Sequence, residues 1–379
     1  MTEEQKYIIE LSRAVIFDKA PSLPSANLDW NYIWNKALEQ NISGLLASVI
    51  LKLPKENQPA NTQLWRNIVI KTTYLMSRKA AEFERMISIL SAHKIQPVCL
   101  KGCMIRTLYP NPNLRIMGDF DIFIDKSEKS SVLQIFEEEG YRTESSKSMI
   151  LASKDKIVWE VFTTLRAEFD TDAEYWDNCL RKHTYRNQAG YVRLEQTYDF
   201  AYTVLHAAKH FLVCGCGIRP LLDLALMLKN YDSIDFDAVE EMCGSHGASK
   251  VLDYIYNVVD KIYGIPVSAE YEDLDAELFL EYMLQYGIFG QRKGYIGHAL
   301  DKDNTGSALE GLLFPNAKVL RGEYEYLEKY PILLPVAWVE RIATIVFVRK
   351  NTFRDIIMSI KASSGAKRER DYWIERLGL

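Results

Sequence analysis

PVCLKGCMIRTLYPNPNLRIMGDFDIFID, residues Pro97–Asp125, is the stretch whose reading decides the fold. It reads as a strand, a Lys101-Gly102 turn into a short helix, a loop, and a second strand carrying Asp119 and Asp121. Side chains alternate faces along a strand, so both carboxylates leave the same face. Two acids side by side repel each other and resist desolvation. Hard cations such as Mg²⁺ offset that cost and prefer carboxylate oxygens. A glycine turn entering a helix leaves the N–H groups of Gly102 and Cys103 available to a phosphate. An acid pair beside a phosphate cradle implies metal-assisted chemistry on a nucleoside triphosphate.

Working outward, the period of two continues. Asp125-Lys-Ser-Glu128 has capping-box spacing and predicts a helix over Glu128–Glu139 that stops at Gly140. Tyr141–Ser145, Met149–Ser153 and Ile157–Thr163 read as three more strands with turn residues between them. Glu160 sits in the middle of the last, inside IVWEVFTT. An acid among apolar strand residues is costly unless it is paired or bound to a cation. If this strand neighbours the Asp119–Asp121 strand, three carboxylates converge. Asp119, Asp121 and Glu160 are then the candidate metal ligands and catalytic acids, with Glu160 also placed to act as base toward an incoming hydroxyl. The alternative is an edge-strand Glu160 paired with a surface cation.

Helical periodicity flanks this segment on both sides. Thr2–Phe17, Leu28–Lys52 and Asn61–His93 precede it; Thr197–Leu212, Leu221–Lys229, Phe236–Gly244, Lys250–Tyr263 and Ala276–Tyr286 follow. Gly287–Gly297 interrupts the pattern, and Ala337–Arg349 is one more helix among proline-bearing loops. The predicted fold is α+β: a small mixed-sheet core at 95–170, an N-terminal helical region at 1–94, and a larger C-terminal helical domain at 171–379.

The chain has 379 residues, 48% hydrophobic, which is ample for a buried core. Its net charge of −5 argues against a broad nucleic-acid footprint. The basic run Lys361–Arg370 reads as a solvated helix end or loop. Six cysteines form no CxxC pair, which fits reduced thiols better than a disulfide framework. Cys214-Gly-Cys216 alone is too sparse for a metal site. Acids near the N-terminus do not fit a signal peptide, and no apolar run reaches membrane length. A soluble, cytoplasmic protein is expected.

These motifs bring a family into view. Leu100-Lys101-Gly102, Leu108-Tyr109-Pro110 and Leu114–Asp121 resemble the nucleotidyltransferase-fold proteins of the polymerase-beta-like superfamily. More closely, they resemble a bacterial group of nucleotidyltransferase family proteins whose substrate is largely unassigned. Glu160, His206–Leu226, Gly287–Gly290 and Leu313–Arg341 extend the likeness. The chain departs from the superfamily pattern in having Gly102-Cys103 where Gly-Ser or Gly-Gly is usual, and in a slightly longer spacing to Asp119. The resemblance implies transfer of a nucleoside monophosphate from an NTP, with Mg²⁺ or Mn²⁺, to a small-molecule, sugar or protein hydroxyl. It also implies that His206, His210, Arg219 and Asp223 face the nucleotide or acceptor. Arg219 and Asp223, at i and i+4, otherwise pair on a helix. Arg115 neutralises phosphate charge or pairs with a nearby acid; Lys101 reaches the γ-phosphate or supports the helix start. The rival readings are a nucleotide-binding or protein-interaction module without turnover, and transfer of the γ-phosphate.

Overall fold

The period-two run at the centre of the chain folds into a seven-stranded mixed sheet. The strands are β1 (Val98–Leu100), β2 (Phe120–Phe123), β3 (Arg142–Ser145), β4 (Met149–Lys154), β5 (Ile157–Phe162), β6 (Thr184–Arg186) and β7 (Val192–Leu194). Their order across the sheet is β3-β4-β5-β2-β1-β7-β6. β2 runs parallel to β5 and β1 parallel to β7, while the other neighbours are antiparallel. The structure, a computed structural model, describes residues 1–165, 173–213, 216–285, 326–343 and 372–379. Cys214, Gly287–Gly297, 313–325, 344–349 and Lys361–Arg370 lie outside the described residues.

The described chain divides into two compact units, Met1–Ala207 with Ile218–Leu284, and Ala208–Gly217 with Gln285–Leu379. The first holds the sheet. Ahead of it come α1 (Glu3–Phe17), α2 (Trp30–Glu39), α3 (Ser43–Ile50) and the 31-residue α4 (Thr62–Ala92). The Leu28–Lys52 pattern is thus two helices. After the sheet's second strand comes α6 (Lys129–Glu138), preceded by a short α5 (Gly102–Ile105) at the turn. The expected capping box is present at Asp125 and Glu128, though it opens with a 3₁₀ turn. Gly140, at φ +79°, ends the helix in a conformation that glycine adopts without a Cβ penalty. In the second unit, Leu327 and Ala337 form a small buried cluster with Tyr326, Leu334 and Trp338. Among the described residues, no helix is long and apolar enough to cross a membrane.

One finding differs from the sequence reading. Beyond 170 the chain was expected to be helical, yet β6 and β7 form a hairpin there and join β1. α7 (Ala173–Lys182) lies before the hairpin, and α8 (Gln196–Val213) and α9 (Arg219–Asn230) after it. Each hairpin strand has three residues, too few to establish a period. The readable trace was the turn: Asn187 Oδ1 accepts from the Tyr191 amide, and Gly190 has φ +86°.

One face of the sheet is dry. Phe120 and Ile122 of β2 and Trp159 and Val161 of β5 pack there with Phe83, Met86 and Leu90 of α4 and Phe136 of α6. The Phe120 and Trp159 rings lie 4.7 Å apart, and Phe83 stacks on Trp159 at 5.5 Å. Trp159 is fully buried, and its indole N–H donates to the Tyr141 hydroxyl at 3.3 Å. Trp159→Ala is expected to destabilise the fold by about 3–5 kcal/mol in urea denaturation. An unchanged midpoint would contradict this placement of the core.

Candidate active site

Because Phe120 and Trp159 face the dry side, their neighbours must face the other. β2 and β5 are in register with Asp121 opposite Glu160, and Leu100 of β1 lies opposite Asp121. Paired residues of parallel strands share a face, about 4.8 Å apart. The two acids therefore stand side by side. Asp121 is buried and Glu160 half-buried. Strand β2 begins at Phe120, so the half-buried Asp119 stands at its mouth rather than within it. Among the described residues, no three His, Cys, Asp or Glu side chains form a group able to hold a metal ion. Asp121 and Glu160 are cross-strand neighbours, and Asp119 stands just before β2.

Asp121 has a cation of its own. Lys101 Nζ lies 3.1 Å from Asp121 Oδ1, with both side chains about nine-tenths buried (10% and 8% exposed). The ammonium also sits 5.5 Å from the Phe162 ring centre and 5.8 Å from that of Tyr202, which attract it through their π faces. Lys101 takes φ +51°, ψ −130°, a region that side-chain-bearing residues avoid. Such a residue costs of order 1–3 kcal/mol and persists where its surroundings over-determine it.

Gly102 follows, and its requirement is steric. A Cβ there would come 2.8 Å from Arg115 Nη1. The expected free turn is in fact filled by a guanidinium. Cys103 is buried beneath it, with its thiol donating to the Leu100 carbonyl at 2.8 Å. Burial pushes that thiol well above its usual range, and pushes neighbouring Cys99 up to about 12. Neither is a thiolate nucleophile. The amides of Gly102 and Cys103 are the first-turn donors that a helix leaves without intrahelical partners.

Arg115 is committed to Asp223. Its Nε and Nη2 donate to Oδ1 and Oδ2 at 2.8 and 2.7 Å, and the Tyr109 hydroxyl donates to Oδ1 at 2.7 Å. Burial opposes the Arg115 charge, but Asp223 outweighs it and holds the guanidinium above arginine's usual value. Burial likewise lifts the Tyr109 hydroxyl well above its ordinary range, and Asp223 adds to the rise. The structure thus gives Asp223 a partner 108 residues away rather than Arg219 one turn along α9. Arg219 donates instead to the Ile116 carbonyl at 3.2 Å.

These contacts grip the segment that delivers Asp119. α9 holds Arg115 and Ile116. From the other side, Lys79 of α4 donates to the Met117 and Gly118 carbonyls at 2.9 and 2.6 Å, and the Met117 amide meets Met76 Sδ at 3.4 Å. Burial pushes the Lys79 ammonium below lysine's ordinary value, while the charge of Asp119 opposes the fall. Sequence reasoning missed Lys79, because a cation on a long amphipathic helix carries no signal separating it from a solvated one. It also missed Tyr109, whose partner is distant. Of the two histidines on α8, His206 is half-buried in the first unit; His210 belongs to the second.

The site thus lies on an α+β domain whose parallel β2–β5 pair carries adjacent acids beside the Lys101-Gly102 turn that follows β1. The comparison of families agrees: the chain belongs to the family described as "Uncharacterised nucleotidyltransferase", which matches residues 26–264. No curated protein and no solved structure matches the chain.

Asp223→Ala is expected to destabilise by about 3–5 kcal/mol, because it strands a buried Arg115. Arg219→Ala, which removes the charged hydrogen bond to the Ile116 carbonyl from a half-buried residue, should cost less, with that bond worth about 1.5–3 kcal/mol. Chemical denaturation of both variants checks the order. A reversed order would return Asp223 to a helix-surface role.

Proposed function

We propose that the protein transfers a nucleoside monophosphate from an NTP to a hydroxyl acceptor and releases pyrophosphate. The observation that carries this reading is the β2–β5 register, with Asp121 beside Glu160 at the Lys101-Gly102 turn. Membership of a nucleotidyltransferase family supports it.

The donor set suits Mg²⁺ or Mn²⁺. Asp119 and Asp121 offer hard carboxylate oxygens, and Mg²⁺ in nucleotide enzymes is usually held by one or two carboxylates plus substrate phosphates. When bound, the ion neutralises phosphate charge and steadies the leaving pyrophosphate. Asp119 and Asp121 would hold it. Gly102 and Cys103 would offer amide N–H groups to phosphate oxygens, and Lys101 its ammonium. Glu160 would take the proton of the acceptor hydroxyl. Arg115, Arg219 and Asp223 would act indirectly, by fixing the segment before Asp119. The acceptor is a small molecule, a sugar or a protein side chain. His210 remains a candidate on the acceptor side through the family resemblance alone.

One observation favours a second reading, nucleotide binding without turnover: Asp121 is already paired with Lys101. A labelling experiment separates the readings. Each of the four NTPs, labelled with ³²P at the α or the γ position, is incubated with the protein, Mg²⁺ and a cell extract as acceptor source. Nucleotidyl transfer moves the α label and not the γ label. Asp119→Asn, at a half-buried position that should still fold, is expected to cut that transfer about a hundredfold or more. Movement of the γ label would replace this reading with phosphotransfer. Binding with neither label moved would favour the second reading.

A further inference from the structure

A second concentration of charge lies on the same sheet, at the end away from Asp119. Cross-strand partners share a face, so the row Phe123–Val98–Val192–Arg186 runs across β2, β1, β7 and β6 on one side. That side is the acid side, because Phe123 lies two residues after Asp121 on β2. The row nevertheless sits at the other end of the strands. Lys101 follows β1 and Asp119 precedes β2, whereas this end is bounded by Lys94 and Gln96 ahead of β1 and by Asp125 after β2. A cleft of about 540 Å³ opens there, within the size range of small-molecule sites.

The charges that line this cleft are unevenly matched. Its two acids are engaged locally. The Asp125 carboxylate caps the helix start by accepting from the Glu128 backbone, and it pairs with Arg181 at 3.4 Å. Glu128 in turn accepts from the Asp125 amide at 3.0 Å. Arg181 also lies over the Phe123 ring, 5.5 Å from its centre. Two further cations are left over. Arg186 donates through Nη1 to the Gly190 carbonyl and through Nη2 to Gln96 Oε1, both neutral acceptors. These contacts hold the guanidinium plane without cancelling its charge, and they leave its Nε–H and one hydrogen on each Nη for a ligand. Lys94 lines the same cleft from just beyond α4. Among the described residues, neither Lys94 nor Arg186 forms an ion pair.

An anion fits this surplus. A planar guanidinium held in place suits the oxygens of a phosphate, and a phosphate carries charge enough for two cations where a carboxylate carries one. Exposed Tyr185 lines the cleft as well and adds aromatic surface for the rest of a ligand. We propose that this cleft is a second binding site, taking the phosphate of a small phosphorylated molecule on Arg186 and Lys94. The proposal does not rest on the function proposed above, since none of its residues belongs to the turn or the acids.

Isothermal titration calorimetry of the full-length protein with ADP, pyrophosphate and citrate tests it, in buffer stripped of divalent ions over a chelating resin. ADP and pyrophosphate should bind, and more weakly as salt is raised. Arg186→Gln should weaken binding by about tenfold, the size of one charge-assisted hydrogen bond. Lys94→Gln should weaken it less, and the double variant most. Both positions are exposed, so the melting temperatures of the variants without ligand should match that of wild type. Wild type that binds neither ADP nor pyrophosphate would overturn the proposal. So would equal affinity in wild type and the double variant, which would place any bound phosphate elsewhere. Citrate binding as tightly as pyrophosphate, with the same losses in the variants, would overturn the assignment to phosphate.

Discussion

The in-register pairing of β2 with β5 is the constraint on which the rest depends. On one face it packs Phe120 at a tilt against Trp159, on which Phe83 stacks. On the other it sets Asp121 beside Glu160. The two outcomes are inseparable, because a shift of one residue exchanges the faces of a strand. A slipped β2 would carry Asp121 into the aromatic core and leave Phe120 outside it. Core packing thereby fixes the chemistry: the free energy that buries the aromatic rings also holds two carboxylates where they would not otherwise stay.

Charge is then distributed by pairs that join different elements of the first unit. Lys101 meets Asp121, Arg115 meets Asp223, and Arg193 meets Asp199, each largely buried. Two of the three also enlist a tyrosine: Tyr109 donates to Asp223, and Tyr231 to Asp199. Buried pairs of this kind add little net stability over apolar packing, but breaking one is costly. Their service is to fix position. Arg115–Asp223 ties the segment before β2 to α9, and Arg193–Asp199 ties β7 to the start of α8. Lys101 fastens the turn after β1 to β2. Asp119 and Asp121 therefore stand on a segment held from both sides, as a preorganised site requires.

The sequence carried the local features of this design and lacked the distant ones. Alternation announced β2, β4 and β5, and the capping box announced the start of α6, because each signal lies within a few residues. The neighbourhood of Asp121 and Glu160 followed from chemistry, since an acid inside an apolar strand needs company. The hairpin of β6 and β7 was too short to show a period. Asp223 was misleading: Arg219, four residues away, was its visible partner, while Arg115 became adjacent only once α9 packed on the loop. Gly102 was legible as a glycine that matters, but for another reason. Its missing Cβ makes room for Arg115, and the unusual backbone angle belongs to Lys101 before it.

The most direct test of the account is a crystal structure with Mn²⁺ and a non-hydrolysable NTP analogue, with data collected to reveal the anomalous signal of manganese. The account predicts a peak at bonding distance from the carboxylates of Asp119 and Asp121, with triphosphate oxygens completing the shell and the Lys101 ammonium moved onto a phosphate. A nucleotide bound with its metal away from both aspartates would contradict the assignment of this strand pair as the reacting centre.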